Sequence, residues 1–125
     1  MIDKLKNRMA QDEGFTLIEL LVVIIIIGIL LAIAVPSYLG FKDRANKSAA
    51  QANVRSAIPS IEAYFADHNG YTSMTDTILR TSYDAGLKVT VVSAGSSTYC
   101  VKSGSGTFTY FKAGPTGSIT TAACT

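Results

Sequence analysis

Glu19 is the residue whose type and position ask most for chemistry. It follows Gly14-Phe15-Thr16-Leu17-Ile18 and precedes Leu20 to Val35, sixteen residues without a polar side chain. An ionised carboxylate at mid-membrane costs about 2.5–3.5 kcal/mol on insertion scales. Glu19 would lie shallower than that, yet it still needs a partner. Cys100 and Cys124 are the other reactive pair. They form no Cys-x-x-Cys or Cys/His cluster, which argues against zinc. In a segment outside the cell they would form a disulfide, and in a reducing compartment they would stay free thiols. His68 is the sole histidine, beside Asp67, with no nucleophile or second ligand near it in sequence. It reads as a solvated residue at a helix end. Scattered carboxylates and the lack of a phosphate loop point to a chain that is not an enzyme, with no cofactor and no metal.

The elements that position these residues follow from periodicity. Phe15 to Val35 spans twenty-one residues, roughly 30 Å as a helix, the thickness of a bilayer's hydrocarbon core. Its Val and Ile residues would favour strand in water, but a lone segment in lipid must satisfy its backbone internally, so helix wins. Pro36 follows at once, between Gly28 and Gly40, and implies either the end of that helix or a hinge within it. Val54, Ile58, Ile61 and Phe65 recur at helical spacing as an apolar stripe, with alanines that favour helix and close packing. Pro59 should bend that helix, and Asp67-His68-Asn69-Gly70 should end it.

Tyr71 to Gly86 reads as a connection holding one short helix around Thr75 to Thr81. Strand signals follow at Leu87 to Val91, Tyr99 to Lys102, Thr107 to Lys112 and, more weakly, Ser118 to Thr120. The links are short enough to require an antiparallel meander, which needs a hydrophobic cover. The stripe on the helix supplies it. A chain of 125 residues with net charge +2 allows one small module besides the apolar segment, and its cations are too few and dispersed for a nucleic-acid groove.

The run Gly14-Phe15-Thr16-Leu17-Ile18-Glu19, with a polar leader before it and an apolar helix after it, resembles the type IV pilins, a family that includes the pseudopilins. The resemblance covers the first third of the chain closely and the rest in layout. It implies an α+β fold: a long N-terminal helical spine, its first half transmembrane, packed in its second half against a sheet of three or four strands. The expected organisation is a leader at 1–14 that is removed, a transmembrane and assembly half at 15–35, an amphipathic half at 36–69, an αβ-loop at 70–86, and a sheet with a C-terminal disulfide region at 87–125.

The resemblance also assigns roles. A prepilin peptidase would cut between Gly14 and Phe15, and Phe15 would be N-methylated; Asp12-Glu13 departs from the basic residues often found before the cut. The new amine of Phe15 lies about one helical turn from Glu19. The family uses this glutamate in assembly, so Glu19 of one copy is expected to meet the Phe15 amine of another and fix register. Spacing alone leaves open a carboxylate that snorkels or is protonated. Pro36 and Gly40 become the hinge, and Cys100–Cys124 a C-terminal disulfide. The implied function is a pilus subunit for adhesion, motility or DNA uptake; the alternative is a pseudopilin of a type II secretion or competence system. The partners would be further pilin subunits, the peptidase, the membrane assembly machinery and, before assembly, the bilayer. The precursor would cross the cytoplasmic membrane once and the polymer would stand at the cell surface. A reading from another class is a secreted binding module released after Ala32-Ile33-Ala34.

Overall fold

The structure is a computed structural model and describes residues 2–4, 14 and 16–125. Its elements are helix α1 (Leu17–His68), helix α2 (Asp76–Ser82) and strands β1 (Thr90–Ala94), β2 (Tyr99–Ser105), β3 (Phe108–Gly114) and β4 (Ile119–Thr120). The chain divides into two units, Met1–Gly40 and Phe41–Thr125.

α1 runs 52 residues and is α-helical through Gly28, Pro36, Gly40 and Pro59. Pro36 therefore does not end the helix. In the first unit no side chain of α1 is buried, because the apolar residues face all round and the chain offers them nothing to pack against.

The second unit has its own core. Ala50, Val54, Ala57, Ile61 and Tyr64 are buried along one face of α1. The expected stripe of Val54, Ile58, Ile61 and Phe65 is thus rotated: Ile58 and Phe65 are half-buried, and two alanines take the inner line. Tyr71, Met74, Leu79, Leu87, Val89, Tyr99 and Val101 complete the cluster. α1 ends where Asn69 takes the left-handed conformation (φ 54°), its N–H donating to Phe65 O at 2.7 Å. Tyr64 Oη then donates to Thr72 O at 2.9 Å and ties the turn down.

Thr75 caps α2, its Oγ1 accepting Ile78 N–H at 3.2 Å. The sheet is an antiparallel meander in the order β1-β2-β3-β4. β2 and β3 are joined by the two residues Gly106-Thr107, with Ser105 opposite Phe108. Gly106 has φ 61°, which fits the glycine of a type II′ hairpin turn. Gly114 lies opposite Tyr99, whose ring occupies the space a Cβ would need. Leu87 to Val89, expected to open the first strand, lie before it: β1 begins at Thr90, opposite Lys102. Cys100 and Cys124 are joined in a disulfide that pins the C-terminal segment to β2.

Candidate assembly site

The helix start is built by Thr16 and Glu19. Thr16 N–H donates to Glu19 Oε2 at 2.9 Å, and Glu19 N–H donates to Thr16 Oγ1 at 3.3 Å. Thr16 O accepts the first helical bond, from Leu20 N–H at 3.2 Å. This is a reciprocal capping box, which satisfies two of the N–H groups that every helix start leaves unpaired. Glu19 is also the only acidic residue in the first turn, where the helix dipole favours a negative charge. The signal was present in sequence as Thr16-x-x-Glu19, an acid three residues after a hydroxyl. Glu19 thus has a local role besides the intermolecular one expected of it.

The geometry leaves Glu19 with a second oxygen, which accepts no hydrogen bond among the described residues. Gly14 is exposed, with nothing within 4 Å of where a Cβ would stand. Phe15, the expected site of cleavage and methylation, lies outside the described residues. Around this end stand Leu17 (87% exposed), Ile18, Leu20, Leu21 and the aliphatic residues up to Val35, all open. Tyr38, also in the first unit, is open as well. Burial of each such aliphatic side chain is worth roughly 1.5–3 kcal/mol, so this surface requires lipid or protein around it. The helix is long and apolar enough to cross a membrane.

Elsewhere several tyrosines and His68 have structural partners. Tyr83 Oη donates to Asp67 Oδ2 at 2.7 Å, and that bond pushes the phenol pKa up to about 12. Burial raises the Tyr71 pKa, helped by its 3.1 Å bond to Glu62 Oε1. Burial also raises that of Tyr99, whose hydroxyl has no hydrogen-bond partner among the described residues. His68 stacks on Tyr64 at 4.1 Å between centroids and lies 3.1 Å from Tyr64 O through Nδ1, so it is held as part of the helix end. Among the described residues no group of three or more His, Cys, Asp or Glu could hold a metal ion.

Comparison with known proteins places the chain in a family. Residues 9–35 match the model of the prokaryotic N-terminal methylation motif. The chain is 39% identical over 111 residues to the type IV wide pilus major component PilA4 of Thermus thermophilus, covering 86% of this chain and 85% of that one. It is 37% identical over 68 residues to the type IV major pilin protein PilA of Myxococcus xanthus, covering 54% and 31%. It is 36% identical over 63 residues to the type II secretion system core protein G of Pectobacterium carotovorum, covering 50% and 40%. No solved structure matches it. A long apolar N-terminal helix, a small antiparallel sheet and a methylation motif define a filament-forming class of protein. This chain belongs to the type IV pilin family.

Proposed function

We propose that the chain is a structural subunit of a type IV pilus, made as a single-pass precursor in the cytoplasmic membrane and carrying no catalytic activity. A prepilin peptidase cuts between Gly14 and Phe15, Phe15 is N-methylated, and the assembly machinery moves the subunit from the bilayer into a surface fibre. The observation that carries this reading is the apolar run of α1, residues 17–35, every one of them exposed in the single chain, with one carboxylate, Glu19, in its first turn. Lipid covers that surface before assembly, and copies of the same helix cover it afterwards.

Glu19 has two oxygens for two tasks. One holds the N–H of its own Thr16. The other accepts from the Phe15 amine of a neighbouring copy, so both charges leave lipid paired and the axial stagger is set. Pro36 removes one bond from the helix ladder, and with Gly40 it forms the hinge that lets the subunit fit its neighbours. The identity to a type II secretion core protein, confined to about half of this chain, supports a second reading as a pseudopilin of a short secretion or competence filament. Coverage of most of a major pilin favours the first. Mass spectrometry of the protein from membranes tests the processing step: the mature chain should start at N-methylated Phe15. A start at Val35, or at Met1, contradicts it.

A further inference from the structure

The second unit holds an open cavity of about 410 Å³ lined by Arg80, Lys88, Thr90, Lys102, Ser103 and Thr109, with Val89 and Gly104 between them. Its lining contains three cations and three hydroxyls and no carboxylate. The surrounding sequence is as one-sided, since residues 85–125 include Lys88, Lys102 and Lys112 and no Asp or Glu. Lys112 is buried, donating through Nζ to Gly117 O at 2.6 Å, and takes no part. The nearest acid in sequence is Asp84, four residues before Lys88, whose Oδ1 accepts Gly86 N–H at 2.9 Å; Asp76 on α2 is taken up by Arg80 Nη1 at 3.1 Å. Lys88 and Lys102 are exposed and have no ion-pair partner among the described residues.

The rim of this cavity is held in place by its own lining. Arg80 Nε donates to Leu87 O at 3.1 Å and Arg80 Nη2 to Val89 O at 2.9 Å. Ser103 Oγ donates to Lys88 O at 2.6 Å. Three successive carbonyls, at 87, 88 and 89, are thus capped by side chains of the cavity, and the acceptors that would repel an anion are already engaged. Lys88 stands on the fixed segment. Lys102 stands opposite Thr90, and Thr109 opposite Gly104, in the sheet register. Two free ammonium groups and the hydroxyls of Thr90 and Thr109 therefore border one opening.

From this we infer that the groove bounded by Lys88, Thr90, Lys102 and Thr109 binds an oxyanion carrying more than one negative charge, a phosphate or sulfate group of an extracellular ligand. Ammonium and hydroxyl donors suit tetrahedral oxygens as charge-assisted hydrogen bonds, each worth more than a neutral one. The cavity is large enough for a group bigger than one inorganic phosphate. Arg80 acts as a positioning residue, because its guanidinium is occupied by Asp76 and two carbonyls.

The test is a titration of the full-length protein in neutral detergent, followed by amide NMR, with sodium pyrophosphate, sodium sulfate and sodium chloride at matched ionic strength. Saturable shifts are expected at residues 88–90, 102–104 and 109 with pyrophosphate or sulfate and not with chloride, and the tighter of the two identifies the ester. The Lys88→Gln/Lys102→Gln variant, altered only at exposed side chains, should bind at least about tenfold more weakly. Lys42→Gln, a cation elsewhere in the unit, should leave the titration unchanged. Shifts that never saturate, that spread over every lysine, or that persist in the double variant would overturn the site.

Discussion

The two halves of α1 use similar residues to opposite ends. Its first half is apolar on every side and wholly exposed, whereas its second half buries a narrow line of Ala50, Val54, Ala57, Ile61 and Tyr64. The second half is satisfied by its own chain. The first half has no such cover, and its single charged side chain sits where the helix begins. Helix-forming tendency does not distinguish the halves, since both are helical; what distinguishes them is whether the cover comes from within the chain or from outside it.

The strongest way to break this contrast is to keep the leader attached to the first half. Gly14→Val should leave only full-length precursor in the membrane, since the residue before the cut must fit the peptidase. Open space around Gly14 means that the change does not disturb the fold. Gel mobility and mass spectrometry check this; protein of mature size would refute the cut after Gly14. Next in size is a change confined to the second unit. Cys100→Ser opens a loop with a sequence separation of 24, and loop-closure arithmetic assigns such a link roughly 3–4 kcal/mol. Thermal melting of the second unit should shift down while leader processing stays normal.

A smaller effect belongs to the helix start. Thr16→Ala removes the hydroxyl that caps Glu19 N–H and should cost about 1 kcal/mol of local helix stability. Faster amide exchange at residues 17–20, with none at 54–64, would show that the two halves are independent. The smallest effect is a pH dependence in the second unit. Tyr83 keeps its proton in the folded chain up to about pH 12, whereas an unfolded tyrosine loses it near 10. The folded state then binds the extra proton, so the stability that Tyr83 adds is present below about pH 10 and fades between about 10 and 12. Tyr83→Phe should flatten that part of the alkaline unfolding curve relative to the parent chain.

Much of this was legible in the residues. The uninterrupted run to Val35, the Asn69-Gly70 stop and the short links between strand signals marked the helix, its end and the meander, because each depends on local chemistry. The line of burial on α1 differs from the large apolar stripe: Ile58 and Phe65 are half-buried, while the small Ala50 and Ala57 are buried. The first strand was begun too early at Leu87. Alternation there is real, with Leu87 and Val89 buried, but the carbonyls of 87 to 89 bond to Arg80 and Ser103 instead of a neighbouring strand. Those bonds join residues 7 to 15 positions apart, and no periodicity encodes them. Glu19 shows the reverse case, a local motif overlooked because its charge suggested a distant partner.

That double role of Glu19 is what a fibre-yield measurement decides. Glu19→Leu removes the only ionisable side chain from the apolar half of α1, so membrane insertion becomes easier by up to a few kcal/mol. Glu19→Gln retains an oxygen that can accept Thr16 N–H but loses the charge. Fibres are sheared from cells and weighed against processed subunit left in the membrane. If Glu19 pairs with a neighbour's Phe15 amine, both variants should accumulate as processed membrane protein and yield few or no fibres. Normal fibre yield from Glu19→Leu would contradict the pairing, and with it the assignment of the first half of α1 to assembly through that charge.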